Sequence, residues 1–246
     1  EYLAKTLQGL EGVLADELKA LGAKDIEIQR RAVSFKGDKK TLYKANFWLR
    51  TALRILKPVA VFKVNSPDDV YTEIKKLKLE EFIDANRTFS IDTTVYSEQI
   101  NHSRYVTYKA KDAIVDYFTE KYGKRPTVSV ANPDIYFNLH ISHTTCTLSL
   151  DSSGAPLFKR GYRVAQTDAP INEVLAAGLL MLSGWKGQCD FIEPMCGSGT
   201  IAIEAAMIAL NMAPGLFRKE FAFERWEDFD KDMFDEIYND DSMERD

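Results

Sequence analysis

One stretch constrains the fold of this chain more than any other: the segment 190–206, with the sequence DFIEPMCGSGTIAIEAA. Phe191 and Ile192 predict the end of a buried strand. Gly197 and Gly199 permit backbone conformations closed to other residues, and they leave no side chain over the turn. The Ile, Ala and Glu residues that follow predict a helix. A strand, a glycine turn and a helix N-terminus in this order predict a nucleotide pocket, in which backbone N–H groups face the ligand.

Two glycines fit an ordinary strand-to-helix turn as well as a nucleotide site, so the flanking residues must narrow the ligand class. No Lys-Ser/Thr pair follows the glycines, which excludes a phosphate-gripping P-loop. The position of the third glycine in a dinucleotide fingerprint is held by Ala202. Glu193 places a carboxylate at the carboxyl end of the predicted strand. That position favours a cationic or hydroxyl-bearing ligand over a pyrophosphate.

At these residues the chain resembles a known family. The run EPMCGSGT is similar to the first S-adenosylmethionine motif of class I methyltransferases. With the IEAA that follows, it resembles the THUMP-domain-containing RNA guanine-N2 methyltransferases of the large-subunit ribosomal RNA type. Supporting stretches are KRGYR (159–163), NEVLAA (172–177), LSGW (182–185), APGL (213–216) and FERW (223–226). The resemblance implies S-adenosylmethionine as cofactor, bound by Glu193, Pro194, Met195, Cys196, Gly197, Ser198, Gly199 and Thr200.

Hydrophobic periodicity divides the chain into predicted elements. The helices are 9–21, 39–49, 66–77, 103–122, 171–183 and 201–211, and the strands include 26–29, 32–35, 54–64, 88–96 and further strands in 126–130 and 135–150. We expect an α+β ferredoxin-like domain over 1–65. The element order over 66–152 is similar to a THUMP domain, an RNA-binding module. Residues 153–165 are interpreted as a linker, and 166–246 as the first part of an α/β Rossmann-like class I methyltransferase domain. Within this domain, 166–170 is expected to form a loop over the cofactor.

The net charge of −5 hides an asymmetry between the two parts of the chain. Residues 1–165 carry a net charge of +6, whereas residues 166–246 carry −11. A basic first part joined to an acidic second part is typical of a nucleic-acid-binding region that precedes a catalytic domain. A charge of +6 over 165 residues is mild, so it supports RNA binding without establishing it.

Two groups of basic residues are candidates for contact with RNA. Arg104, Tyr108 and Lys111 recur at i, i+4 and i+7 of the 103–122 helix, on a different stripe from its apolar residues. Cations contact phosphates and an aromatic ring can stack on an unpaired base. Lys159, Arg160 and Arg163 form the second group, at the junction of the basic and acidic parts. A solvated helix face and a linker with interdomain ion pairs are the respective structural alternatives.

Other chemistry finds little support in the sequence. His140, His143 and Cys146 suggest a metal site, but strand alternation places His143 on the face opposite the other two. No apolar run reaches the roughly 18 residues of a membrane span. The three cysteines show no disulfide or metal spacing, which favours a reducing cytoplasm.

The resemblance also implies residues that are missing from this sequence. An Asn/Asp-Pro-Pro-Tyr turn, which holds the target amine in that family, is absent, and the chain contains no Pro-Pro pair. We therefore expect a fragment of a longer enzyme that is inactive alone and has no assignable catalytic residue. The implied function is methylation of guanine N2 in 23S ribosomal RNA. Alternatives are a tRNA guanine-N2 methyltransferase, a DNA adenine-N6 methyltransferase and a non-enzymatic RNA-binding protein.

Overall fold

The computed structural model describes residues 1–100, 102–164 and 169–240. Two compact units divide the chain. The first is discontinuous and consists of Glu1–Ile55, Ser153–Glu224 and Asp228–Asp246; the second consists of Leu56–Ser152 and Arg225–Glu227. The predicted loop at 166–170 falls largely outside the described residues.

The first part of unit 1 is a sheet with two helices. Its elements are β1 (Tyr2–Lys5), α1 (Glu11–Ala20), β2 (Lys24–Gln29), β3 (Ala32–Lys36) and α2 (Lys39–Trp48). The strand order is β2-β3-β1, all antiparallel. The Leu53 N–H then donates to the Lys5 carbonyl (2.7 Å), so the chain returns beside β1 before it leaves this unit. This arrangement fits the predicted ferredoxin-like α+β domain.

The second part of unit 1 is helical among its described residues. It contains α5 (Glu173–Leu182), α6 (Thr200–Ala209) and α7 (Lys231–Tyr238). The Asn172 side chain caps α5 by accepting hydrogen bonds from the N–H groups of Val174 and Leu175. Gly178 in α5 packs directly against the side chain of Leu10, with no room for a larger residue. Helix α5 is therefore part of the same core as the N-terminal residues.

An aromatic cluster joins α2 to the segment that ends in α7. The rings of Tyr43 and Phe223 stack with centroids 4.4 Å apart, and Phe234 meets Phe223 edge-on at 5.1 Å. Aromatic pairs of this geometry add to the burial of 150–250 Å² that each ring brings. The cluster members are Tyr43, Phe47, Phe221, Phe223, Phe229, Phe234 and Tyr238.

Unit 2 is a mixed sheet covered by two helices. Its elements are most of β4 (Arg54–Lys63), then α3 (Pro67–Lys75), β5 (Thr88–Tyr96), α4 (Ser103–Tyr122), β6 (Thr127–Val128), β7 (Ile135–Ser142) and β8 (Thr145–Asp151). The strand order is β4-β8-β7-β5-β6, with β5 parallel to both β6 and β7. Ser66 and Asp69 form a capping box at the start of α3, as the Ser-Pro-Asp-Asp sequence predicts.

One predicted element is wrong. The sequence predicts a buried strand ending at Phe191 and Ile192, but these residues form no strand. The Ile192 side chain is 85% exposed and that of Phe191 is 38% exposed. A strand needs a neighbouring strand for its hydrogen bonds, and none of the described strands pairs with these residues. Propensity and pattern predict a strand here, but pairing decides whether it forms.

Candidate cofactor-binding site

The glycine turn before α6 adopts a conformation that only glycine holds readily. Gly197 has φ +52° and Gly199 has φ +76°, both in the left-handed region. The Gly199 N–H donates to the Cys196 carbonyl at 2.7 Å and closes the turn. Apart from its two chain neighbours, no described residue has an atom within 4 Å of a Cβ built at Gly197. The space over the turn is therefore open to a ligand.

Glu193 lies at the start of α6. Its Oε2 atom accepts a hydrogen bond from the Ala202 N–H at 3.1 Å. A carboxylate is favourable here because the N-terminal end of a helix carries a partial positive charge. Glu193 thus fixes the residues before the turn to the first turn of the helix. Its predicted contact with the ligand stays a prediction.

Arg163 reaches the turn from the segment that precedes α5. Its Nε and Nη2 atoms donate to the Glu173 Oε1 atom at 3.1 and 2.7 Å. Its Nη1 donates to the Ser198 Oγ at 3.1 Å, and its Nη2 donates to the Thr200 Oγ1 at 3.0 Å. The guanidinium therefore joins the first residue of α5 to the residues on both sides of Gly199. This position differs from the RNA-contacting surface predicted for Arg163.

Arg160 does not form the RNA-contacting surface predicted for it. Its side chain is 2% exposed and its Nε atom lies 3.3 Å from the Oε1 of Glu204, which is fully buried. Its other nitrogens donate to the carbonyls of Leu157 (3.0 Å) and Arg50 (2.6 Å). A buried guanidinium needs such partners because an unpaired one would pay a large desolvation penalty. Lys159 is exposed, and its RNA contact stays a prediction.

A buried polar cluster that the sequence pattern did not predict surrounds Glu204. Tyr162 donates from its hydroxyl to the same Oε1 at 2.9 Å, and burial beside that carboxylate raises the pKa of the phenol. Arg50 donates to the carbonyls of Met207 (3.3 Å) and Met212 (2.8 Å), at the carboxyl end of α6. The signal was present, because Glu204 is the lone charged residue in the apolar run Ile201–Met207. A buried carboxylate of that kind requires a cation nearby.

Glu17 extends the polar cluster into α1. The carboxylate accepts the N–H groups of Arg50 (2.7 Å) and Thr51 (3.1 Å) and the hydroxyl of Thr51. Burial raises the pKa of Glu17, although these hydrogen bonds act in the opposite direction. The residues from α1 to α6 are therefore connected through hydrogen bonds as well as through apolar packing.

The predicted RNA stripe lies on the surface of α4, in unit 2. Arg104 is exposed, Tyr108 is 53% exposed and Lys111 is partly exposed. The Lys111 Nζ lies 5.7 Å from the centroid of the Tyr108 ring, a cation–π contact. The opposite face packs on the sheet through Val106, Ala110, Ala113, Ile114 and Phe118. The stripe is accessible, and its contact with RNA stays a prediction.

The described residues contain no cluster of three or more His, Cys, Asp or Glu side chains that could hold a metal ion. His143 has φ +53° in the β7–β8 turn, whereas Cys146 is buried in β8. Among the same residues, no helix is both long and apolar enough to cross a membrane.

Comparison with known proteins gives each part of the chain a counterpart. Residues 1–56 match the RlmL ferredoxin-like domain, residues 64–151 match the THUMP domain, and residues 160–243 match the family described as UPF0020, an RMKL-like methyltransferase domain. The chain therefore carries a ferredoxin-like domain, a THUMP domain and an RMKL-like methyltransferase domain in this order. The glycine turn, α5, α6 and Arg163 all belong to the methyltransferase domain.

Individual relatives agree with these domain matches. The chain is 41% identical over 95% of its length to a Synechocystis protein named "Putative RNA methyltransferase slr0064". It is 42% identical over 92% of its length to the ribosomal RNA large subunit methyltransferase K/L of Syntrophotalea carbinolica. The chain spans 61% of the first relative and 32% of the second.

A solved structure shows the same arrangement of elements. The crystal structure of SMU.472 complexed with SAH superposes with a TM-score of 0.85 at 31% identity, and covers 98% of this chain and 63% of that one. The predicted fold class is therefore confirmed: a ferredoxin-like unit and a THUMP domain are followed by a Rossmann-like methyltransferase fold.

Proposed function

We propose that this protein is an S-adenosylmethionine-dependent RNA methyltransferase that modifies guanine N2 in 23S ribosomal RNA. The observation that carries the proposal is the open turn at Gly197–Gly199, at the N-terminus of α6 in an RMKL-like methyltransferase domain. The ribosomal RNA methyltransferase K/L relative and the SAH-bound SMU.472 structure support the substrate class and the cofactor. We place the protein in the cytoplasm, where ribosomal RNA and S-adenosylmethionine would both be present.

The residues of the turn fit the amino-acid end of S-adenosylmethionine. Gly197 and Gly199 leave the backbone uncovered, so that a carboxylate can approach the N–H groups at the helix start. Glu193 lies at the same helix end and offers a carboxylate to an ammonium group. The cofactor residues that we propose are Glu193, Pro194, Met195, Cys196, Gly197, Ser198, Gly199 and Thr200.

The chemistry of the cofactor determines what the protein itself must do in the reaction. The sulfonium of S-adenosylmethionine supplies a methyl group that is already electrophilic. The protein must therefore mainly position an exocyclic amine in line with that methyl group, after the base leaves its stack. The turn would hold the cofactor, while the THUMP surface with Arg104, Tyr108 and Lys111 would hold RNA. We assign no residue of this chain to the target amine.

Methyl transfer with the full-length protein tests the proposal. We would incubate it with labelled S-adenosylmethionine and unmodified ribosomal RNA, then digest the RNA and identify the methylated nucleoside by mass spectrometry. N2-methylguanosine in 23S RNA is the expected product. Label in tRNA or in adenine N6 of DNA would instead favour one of the alternative substrates. RNA binding without SAH binding or methyl transfer would favour the non-enzymatic RNA-binding protein.

A further inference from the structure

We propose that Arg163 is a positioning residue for the cofactor turn, rather than an RNA contact. It would hold Ser198 and Thr200 so that the backbone between them keeps the conformation that receives the amino-acid end of S-adenosylmethionine. This inference rests on the proposed function for its ligand. We call the contacts of Arg163 with Glu173, Ser198 and Thr200 the clamp, and these contacts do not depend on the identity of the ligand.

Hydrogen bonds within the protein already occupy most of the Arg163 guanidinium. An arginine has five N–H donors, and four hydrogen bonds to Glu173, Ser198 and Thr200 engage this one. The side chains of Arg163 and Glu173 are only 14% and 9% exposed, and their closest atoms are 2.7 Å apart. These four bonds leave at most one donor, so a phosphate could make a two-point contact with Arg163 only by displacing one of these partners. Arg163 is therefore poorly placed to contact RNA.

Two contacts of Arg163 are made with the residues on either side of Gly199. Gly197 and Gly199 have no side chains, so only their neighbours can restrain the turn through side-chain contacts. Ser198 lies between the two glycines and Thr200 begins α6, and one guanidinium binds both hydroxyl groups. The two hydroxyl oxygens are themselves 3.2 Å apart. The planar fork of arginine matches this arrangement, whereas lysine carries a single point of charge.

A clamp of this kind should raise the affinity of the turn for its ligand. A glycine turn left free would have to lose conformational freedom when the ligand binds, which lowers affinity. Arg163 removes part of that freedom beforehand by tying the turn to α5 through Glu173. Thr200 is 1% exposed, so one of the two hydroxyl groups that Arg163 binds is buried. Arg163 has no atom within 4 Å of a Cβ built at Gly197, so the clamp leaves that side of the turn uncovered.

The test compares Arg163→Gln, Arg163→Lys and the control Arg218→Gln in the full-length protein. Arg218 lies in the same unit and donates to the carbonyls of Ser153, Ala155, Pro156 and Lys159, with none of these contacts at the turn. Amide hydrogen exchange would be measured without ligand, and SAH affinity by calorimetry. Neither readout depends on catalytic activity.

We expect faster exchange in Arg163→Gln at residues 196–200, with 205–209 of α6 unchanged. We also expect SAH affinity to fall roughly 10- to 100-fold, as for the loss of one or more charge-assisted hydrogen bonds. Arg163→Lys should be intermediate, and Arg218→Gln should bind SAH like the parent. Unchanged exchange at the turn would overturn the clamp. Faster exchange throughout α5 and α6 would do the same, because it would show general loosening.

Two further results separate this inference from the proposed function. If the turn exchanges faster in Arg163→Gln but SAH affinity is unchanged, the clamp has no role in cofactor binding and the inference is wrong. If the parent protein itself binds no SAH, the proposed function fails and the link from clamp to cofactor fails with it. Parental SAH binding together with weak binding only in the Arg163 variants supports both.

Discussion

At the scale of single residues, the proposed cofactor site depends mainly on the backbone conformation of the two glycines in the turn before α6. Gly197 and Gly199 hold positive φ angles, and no atom of the described residues beyond the chain neighbours lies within 4 Å of the place where a Gly197 side chain would start. A substitution at Gly197 would therefore affect the ligand more than it affects the packing of the protein. That difference can be measured.

We predict that Gly197→Val abolishes SAH binding by the full-length protein. A β-branched residue strains a left-handed backbone by about 1–3 kcal/mol, and its methyl groups would occupy the open side of the turn. Calorimetry with SAH gives the affinity, and urea denaturation gives the free energy of unfolding. Unit 2 should stay folded and keep its affinity for RNA.

Gly184→Val is the matched control for Gly197→Val. Gly184 also has a positive φ of +74° and open space around its missing Cβ, but it follows α5 and is not part of the turn. Both variants should lose a similar free energy of unfolding, and only Gly197→Val should lose SAH. If Gly197→Val binds SAH as tightly as the parent, the turn is purely structural.

Cysteine reactivity gives a second prediction at this scale. Burial raises the pKa of the Cys146 thiol to about 12, so this thiol stays neutral and inert near pH 8. Because the shift is upward, the protection should be complete at neutral pH and should weaken only as the pH approaches 12. Cys189 and Cys196 are exposed. Iodoacetamide at pH 8 should therefore modify two of the three cysteines of the native protein, as mass spectrometry would count.

The same labelling reports on the cofactor. SAH should slow alkylation of Cys196, which lies in the turn, and leave Cys189 unchanged. Rapid native labelling of Cys146 would show that β8 opens easily. Equal labelling of Cys196 with and without SAH would argue against the assigned position of the ligand.

Among whole elements, α4 carries the exposed stripe for which RNA contact is predicted. Its buried face fixes the helix on the sheet of unit 2, while Arg104, Tyr108 and Lys111 remain at the surface. The cation–π contact between Lys111 and Tyr108 keeps a charge and a ring together. Such a pair can contact a phosphate and stack on a base at once.

We predict that Arg104→Ala with Lys111→Ala weakens RNA binding and flattens its dependence on salt. Each lost phosphate contact should reduce the log–log slope by roughly 0.7–0.9. Fluorescence anisotropy over a range of salt concentrations measures the slope. Tyr108→Ala should lower affinity with little change in slope, because stacking is not ionic.

Lys186→Ala with Lys231→Ala is the control for the α4 variants. These two exposed lysines lie in the acidic part of the chain, so their loss removes the same charge without touching α4. Their slope should match that of the parent. A parental slope in the α4 variant would remove α4 from the RNA-binding surface.

The elements also show which parts of this fold can be read from sequence. Helix α4 begins at Ser103 and ends at Tyr122, and β5 spans Thr88–Tyr96, as the periodicity predicts. These elements are specified locally, by a repeating apolar face and by Gly123 at the helix end. Ile192 has equally good strand chemistry but lacks a partner strand, and partners are not visible in a local pattern.

The candidate site was predictable in the same uneven way. The glycine turn and its helix follow from the spacing of Gly197, Gly199 and the residues after them. The roles of Arg160 and Arg163 do not, because their partners Glu204 and Glu173 are 44 and 10 residues away along the chain. A run of cationic residues predicts an exposed surface, and only the structure shows which carboxylates pair with these residues.

Across the whole molecule, the N-terminal residues and the methyltransferase domain share one compact unit. The buried pair of Arg160 and Glu204, the bonds of Arg50 to the end of α6, and the aromatic cluster around Phe223 all hold this unit together. The boundaries 1–65, 66–152, 153–165 and 166–246 stay a prediction. The first and last of these segments contribute to a single core.

We predict that Glu204→Ala destabilises unit 1 by about 3–5 kcal/mol, because it leaves the buried Arg160 guanidinium without its carboxylate. Urea denaturation followed by tryptophan fluorescence measures the loss. The double variant Arg160→Met with Glu204→Leu should recover part of it, since neither charge then remains buried.

Glu236→Ala is the surface counterpart of that experiment. Glu236 pairs with Lys40 at 3.4 Å, but both side chains are largely exposed. Pairs of this kind contribute about 0–1 kcal/mol. Similar losses in Glu204→Ala and Glu236→Ala would show that the buried pair is no more important than the exposed one.

The discontinuity of unit 1 has a consequence for how the protein is made. Residues 1–55 leave the ribosome before residues 153–240, yet the packing partners of Leu10, Tyr43 and Phe47 come from that later segment. At about 5–20 residues per second, the roughly 100 residues between the two segments take about 5–20 s to make, and Leu56–Ser152, the main segment of unit 2, can begin to fold in that time. Nascent chains halted near residue 160 should therefore expose apolar side chains from α1 and α2, and this is the stage at which a chaperone would bind.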